Sequence, residues 1–262
     1  MEPRMTTNLH THTVRCRHAN GTEREYIETA IAGGLKRLGF SDHAPYAFPA
    51  EYYSGFRMFA DVQKDYVDTV KALRDEYADR IEIKLGYEME YYPAYFAETM
   101  KMITQYDVDY LILGQHYLGN EIGDKYSGEA NDDEARFVRY VDQVIEGIDT
   151  GVFTYVAHPD TFNFVGDNAI YDKHYSRLIE HAKSTDTPLE INFLGMRASR
   201  FYPNERFFSL CGEIGAPVCC GCDAHSACDA ADPISFAKAA NWIEKYNLNY
   251  IESPVLRAVH TI

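Results

Sequence analysis

No apolar run in this chain approaches the roughly 20 residues that a membrane-spanning helix requires, which argues against a helical membrane protein. The start, Met1-Glu2-Pro3-Arg4, leads into polar residues rather than the apolar core of a signal peptide, and predicts a cytoplasmic protein. Basic charge is also scarce. The 25 Lys and Arg against 40 Asp and Glu leave a formal net charge of −15, the wrong sign for a nucleic-acid partner, whose phosphates call for a clustered basic face. A small substrate fits better. Cysteine is sparse: Cys16, Cys211, Cys219, Cys220, Cys222 and Cys228 are too few and too clustered for a disulfide framework and read as reduced thiols. The group around Cys219 lacks the paired CxxC…CxxC spacing of a thiolate zinc site, and Val218-Cys219-Cys220 reads as a buried strand. No linker is visible either, and 262 residues at 46% hydrophobic suit a single domain over 1–262.

Metal-ligand chemistry, by contrast, is abundant. Asn8-Leu9-His10-Thr11-His12-Thr13 reads as a strand and turn, with His18 following. Alternate strand residues point the same way, so His10 and His12 project from one face and can close on one ion. Ligand types then recur after later predicted strands, in Ser41-Asp42-His43, Gly86-Tyr87-Glu88, Gly114-Gln115-His116, Ala157-His158-Pro159 and Cys222-Asp223-Ala224-His225. The candidates are His10, His12, His18, His43, Glu88, His116, His158, Asp223 and His225. One ion takes about four ligands, so the set implies two or three ions. Glu88 and Asp223 are the carboxylates able to bridge neighbouring ions, and a bridging hydroxide would be a nucleophile at neutral pH because a metal lowers the pKa of water to about 7. Such chemistry suits hydrolysis of a phosphate ester. His174 and His181 fall on a predicted helix and His260 in the tail; they are assigned no role.

Taken in order, the chain alternates strand and helix. Thr22-Glu23-Arg24-Glu25 is a capping-box pattern opening a helix that ends at Gly33-Gly34. Lys36 to Asp42 reads as a strand, and Phe59, Val62, Tyr66, Val70, Leu73 and Tyr77 mark an amphipathic helix. Strands follow at Ile81–Gly86, Tyr110–Gly114, Phe153–Ala157, Leu189–Asn192, Pro217–Gly221 and Asn249–Glu252. Helices are predicted from Pro93, over about 132–148 and 170–184, from Pro203 toward Ile214, and over Pro233–Tyr246. The polar, Gly-rich stretch 118–131 reads as a rim loop or lid. About seven strand–helix repeats imply parallel strands with crossover helices. Ligands at the C-terminal ends of so many strands converge only in a closed ring, so the expected fold is a (β/α) barrel.

Together these residues resemble the polymerase and histidinol phosphatase (PHP) superfamily of metal-dependent phosphoesterases. His10-Thr-His12, His18, Ser-Asp-His43, Gly-Tyr-Glu88, Gln-His116, Ala-His158-Pro-Asp and Asp223-Ala-His225 match its motifs in order across the chain. Ser41-Asp-His-Ala-Pro45, Phe56-Arg-Met58, Lys84-Leu-Gly-Tyr-Glu88, Glu190-Ile-Asn192 and Tyr202-Pro203 look like its histidinol-phosphatase branch. The resemblance implies a distorted (β/α)7 TIM-like barrel, three divalent ions (Zn, Fe or Mn), and hydrolysis of L-histidinol phosphate to L-histidinol in histidine biosynthesis. It implies His10, His12, Glu88 and Asp223 around one ion, Glu88, His116 and His158 around a second, and His18, His43 and His225 around a third. Glu88, Asp223 and His225 are the expected catalytic groups. Gly221-Cys222, usually Gly-Ser in relatives, and the 118–131 loop depart from the pattern.

The substrate phosphate is expected to meet Arg197, in the stretch after the Leu189–Asn192 strand, where a guanidinium can hold phosphate oxygens bidentately. Arg57 is a second candidate and Arg200 a third. Two alternatives stand beside the leading reading: a phosphoesterase acting on another small phosphomonoester or phosphotyrosine, and a metal-binding module without turnover.

Overall fold

Short strands and crossover helices alternate throughout the structure, a computed structural model that describes residues 4–260. The Met1-Glu2-Pro3 part of the polar start lies outside the described residues. The strands are β1 (Thr7–Asn8), β2 (Arg37–His43), β3 (Glu82–Met89), β4 (Tyr110–Leu113), β5 (Phe153–Val156), β6 (Leu189–Asn192), β7 (Pro217–Gly221) and β8 (Asn249–Tyr250). They form one sheet in chain order, each parallel to its neighbour. The described residues thus hold eight strands, one more than a sevenfold barrel uses; β8, at the predicted Asn249–Glu252 strand, is only two residues long and pairs with Pro217 and Val218 at the foot of β7.

Parallel neighbours need crossovers, and these are the helices α1 (Glu23–Ala32), α2 (Gln63–Glu76), α3 (Phe96–Ile103), α4 (Glu134–Asp149), α5 (Asn168–Ser184), α6 (Phe193–Arg197), α7 (Glu205–Ile214) and α8 (Pro233–Lys245). Thr22 and Glu25 form the full capping box of α1. Several boundaries differ from the sequence reading: β1 ends at Asn8, so His10 and His12 lie in its continuation, and α3 starts at Phe96 rather than Pro93. Pro203 precedes α7 instead of occupying its first turn, because the Asn204 side chain accepts from Arg206 N and caps the helix there. The stretch after β6 is the short helix α6, started by Asn192, whose side chain accepts from Gly195 N. Among the described residues no helix is long and apolar enough to cross a membrane.

The strands are covered on both faces, which is why β4 reads as an unbroken apolar run. Leu111 and Leu113 belong to the large core shared with the helices. Tyr110 and Ile112 join Leu9, Tyr155, Ala157 and Cys219 in a second, inner cluster, so the sheet curls around its concave face. Beyond the strand ends, a parallel bridge between Thr11 and Ala224, with His12 N donating to Ala224 O at 2.9 Å, ties the continuation of β1 to that of β7. First and penultimate strands therefore deliver their side chains to the same place.

Candidate metal centre

The C-terminal ends of the strands converge on Glu88, near the end of β3. Its Oε2 lies 3.5 Å from His10 Nε2, 3.5 Å from His12 Nε2 and 3.1 Å from His43 Nδ1. Its Oε1 lies 2.8 Å from His158 Nε2 and 3.6 Å from His116 Nε2. One carboxylate thus faces five imidazoles. Asp223 Oδ1 completes the other side, 3.6 Å from His10 Nε2, 3.2 Å from His12 Nε2 and 3.3 Å from His225 Nδ1. His18 meets the cluster through His225, their Nε2 atoms 2.9 Å apart. All nine sequence candidates are therefore in one constellation, although His18 is exposed while His10 and His12 are fully buried.

Small residues and unusual backbone make the approach possible. A Cβ on Gly114 would sit 1.9 Å from Glu88 Oε1, and one on Gly221 would sit 1.8 Å from Glu190 Oε1. His158 (φ 32°) and Asp223 (φ 45°) both occupy the left-handed region, a sparsely populated conformation that clusters at functional sites. Glu190 Oε2 holds His158 by its backbone N–H at 3.0 Å, and Asn192 Nδ2 donates to Asp223 Oδ2 at 3.0 Å.

The donor set fits divalent cations. His10 Nε2, both ring nitrogens of His12, His43 Nδ1 and Asp223 Oδ1 are buried without a hydrogen-bond partner, a costly condition that a coordinated ion would relieve. Ligand atoms of His10, His158 and Asp223, of His10, His12 and Glu88, of His43, Glu88 and His116, and of His18, His43 and His225 lie within 4.8 Å of one another in each group. The electrostatics ask for positive charge. Burial would raise Glu88, but His43, His116 and His10 hold it well below the usual carboxylate range, and His10, His12 and His225 do the same for Asp223. Burial would lower His12, but Asp223, Asp42 and Glu88 push it up to about 9. His43, where burial prevails, falls well below its ordinary value.

Sequence reading assigns the residues that aim these imidazoles no such role, although Asp42 and Glu190 stand within motifs that carry the resemblance. His10 Nδ1 donates to Glu190 Oε1 at 2.8 Å, His116 Nδ1 to Glu90 Oε1 at 2.8 Å, and His12 Nδ1 faces Asp42 Oδ1 at 3.4 Å. Such carboxylates fix ring orientation and leave the other nitrogen for a metal. A signal existed: Glu190 sits in a four-residue strand that is otherwise apolar or polar-neutral, and Glu90 repeats Glu88 at strand spacing.

A cavity of about 350 Å³ opens above the cluster, walled by Phe56, Tyr117, Tyr126, Leu194, Tyr202 and Arg200. Its arginine is Arg200, and Arg197 is not in its wall. In α6, Arg197 turns toward the start of α8, donating to Asp232 Oδ2 at 2.9 Å, Cys222 O at 2.9 Å and Asp223 O at 3.2 Å, with Asp229 Oδ1 at 3.4 Å. That placement corrects the expectation of a phosphate grip: the guanidinium pins the Asp223 turn. Arg57, also expected near phosphate, is 2% exposed and engaged by Glu90 and Glu121. The unassigned His174 and His181 pair with Glu134 and Asp149 on the helical layer. Arg197→Ala should therefore lower stability by about 1.5–3 kcal/mol, the range for hydrogen bonds to charged groups, and reduce metal content. Thermal unfolding and elemental analysis check this; an unchanged melting temperature with full metal would refute the pinning role.

Matches to known proteins bear on the family and the fold. The PHP domain family model matches residues 8–193. A probable histidinol-phosphatase of Deinococcus radiodurans is 30% identical over 225 residues, covering 82% of this chain and 85% of its own. One from Schizosaccharomyces pombe is 26% identical over 248 residues, covering 84% and 81%. The crystal structure of the Lactococcus lactis histidinol phosphate phosphatase, complexed with zinc, L-histidinol and phosphate, matches with a TM-score of 0.72 at 21% identity over 94% of this chain and 95% of that one.

Proposed function

The chain belongs to the PHP domain family, and from that premise we propose that it is a phosphomonoesterase hydrolysing L-histidinol phosphate to L-histidinol and phosphate in histidine biosynthesis. The observation that carries the reading is the buried, unpartnered set His10 Nε2, His12 Nε2 and Asp223 Oδ1, packed against Glu88 and next to a cavity that Glu88, Asp223 and Arg200 line. Three divalent ions, Zn, Fe or Mn, fit the donors: His10, His12, Glu88 and Asp223 would hold one, Glu88, His116 and His158 a second, and His18, His43 and His225 a third. When bound, such ions act as Lewis acids toward phosphoryl oxygen and activate water. Glu88 and Asp223 would hold neighbouring ions in register. His225, with Asp223 Oδ1 beside its Nδ1 and His18 Nε2 beside its Nε2, would serve the reaction as a ligand of the third ion, aimed by Asp223.

Phe56, Tyr117, Tyr126 and Tyr202 offer ring faces for a planar substrate group, and Arg200 offers charge for phosphate. Residues 1–262 form one domain in this reading, with β1 to β7 as the ring of a distorted (β/α)7 barrel and β8 as an appended edge, acting in the cytoplasm on a small substrate rather than on nucleic acid. Comparing kcat/KM of metal-replete protein on histidinol phosphate, phosphotyrosine and p-nitrophenyl phosphate tests the assignment. Histidinol phosphate should lead by at least about 100-fold, as expected where a site hydrogen-bonds groups that its competitors lack. A phosphotyrosine preference would move the enzyme to the alternative substrate class, and bound metal with no turnover on any ester would make it a binding module.

A further inference from the structure

Arg57 lies away from the cavity wall, yet it is among the most tightly held cations of the molecule. Its Nε donates to Glu121 Oε1 at 2.7 Å, its Nη2 to Glu90 Oε1 and Oε2 at 3.0 and 3.1 Å, and its Nη1 to Ala44 O at 2.9 Å. Glu90 Oε1 in turn accepts from His116 Nδ1. At the other end, Glu121 belongs to the 118–131 loop, and its Oε2 accepts from Ser54 Oγ at 2.9 Å. Arg57, Glu90 and Glu121 are each no more than 5% exposed. Charges so far from water interact strongly, and none can lose its partner cheaply. Tyr117 and Tyr126, which flank or sit in this loop, form part of the cavity wall above His116.

The geometry points to Arg57 as a positioning residue that couples the 118–131 loop to the metal cluster through the chain Glu121–Arg57–Glu90–His116. With Glu90 held by Arg57, the carboxylate stays in place to accept the hydrogen bond from His116 Nδ1–H, which leaves Nε2 facing Glu88. With Glu121 held by the same guanidinium, the loop is seated over the cavity by the bond set that aims the imidazole. Coupling of this kind is reciprocal: loosening either end must be felt at the other.

The inference rests on His116 as a metal ligand, so the tests separate the two. His116→Ala identifies the ion that His116 holds. Glu121→Gln keeps the size of the side chain and its contact with Ser54, and should weaken zinc at that same site by about tenfold, the low end for an outer-shell change. Competition with a chromophoric chelator reads it. Glu90→Gln, outside the loop, should speed backbone amide exchange across 118–131 by about tenfold in metal-free protein. Arg57→Lys, which retains charge but loses the planar fork, should produce both effects. Parent zinc affinity in Glu121→Gln, or parent exchange rates in Glu90→Gln, overturns the coupling. If His116→Ala keeps every ion, the ligand reading fails instead, and the exchange result alone decides whether Arg57 joins loop and strand.

Discussion

Glu88→Gln is expected to lose at least one metal ion and to lower kcat by roughly a hundredfold or more, since altering an outer-shell partner alone costs about 10–100-fold and Glu88 is placed as a direct ligand. The argument lies in the geometry of its two oxygens, one facing His10, His12 and His43 and the other His158 and His116. Gln preserves the volume and fits beside Gly114, whose missing Cβ makes room for this side chain. It removes the charge, however, and necessarily turns an NH₂ toward one of the two histidine groups. Elemental analysis should find fewer ions than in the parent, for which three are expected, and circular dichroism should show the fold intact. A variant with full metal content and near-normal kcat would refute a bridging role for Glu88.

Why the ligands were legible and their surroundings were not follows from how each is encoded. His10 and His12 obey the two-residue strand period, and His43, Glu88, His116, His158 and Asp223 each follow or end an apolar run, so local pattern alone places them on one rim. The sheet order was equally accessible, because strands alternating with helices admit few parallel arrangements. The role of Glu190 was not: it stands out as the one charge in Leu189-Glu190-Ile191-Asn192, but its partner, His10, is 180 positions away and the strand itself does not say which ring it orients. Arg57 and Glu121 share that difficulty, being 64 positions apart. The turn of Arg197 away from the cavity was hidden for a different reason. Asn192 reads as the end of a strand, but its side chain also caps α6, and that single turn rotates Arg197 toward Asp232. Ser199, at φ 51°, then redirects the chain so that Arg200 reaches the cavity.

The second large effect is expected at Arg200. Its guanidinium sits at the mouth of the cavity, donates to the Tyr202 hydroxyl, and packs 5.6 Å from the Tyr202 ring centroid. A guanidinium has five N–H donors, so this contact steadies the side chain while leaving others for phosphate oxygens. Arg197 and Arg57 have no such surplus facing the cavity, because carboxylates and backbone carbonyls occupy theirs. If Arg200 grips the phosphate as charge builds in the transition state, Arg200→Ala should reduce kcat/KM by about 10²–10³, or roughly 2.7–4 kcal/mol, by analogy with loss of one oxyanion donor. Arg200→Lys should recover only part, since an ammonium offers no planar fork. Metal content and thermal stability should match the parent in both variants, in contrast to Arg197→Ala, where they should fall. A loss under threefold in Arg200→Ala would leave phosphate recognition to the metal cluster, and a parallel loss of metal would mean that Arg200, like Arg197, supports the Asp223 turn instead of touching substrate.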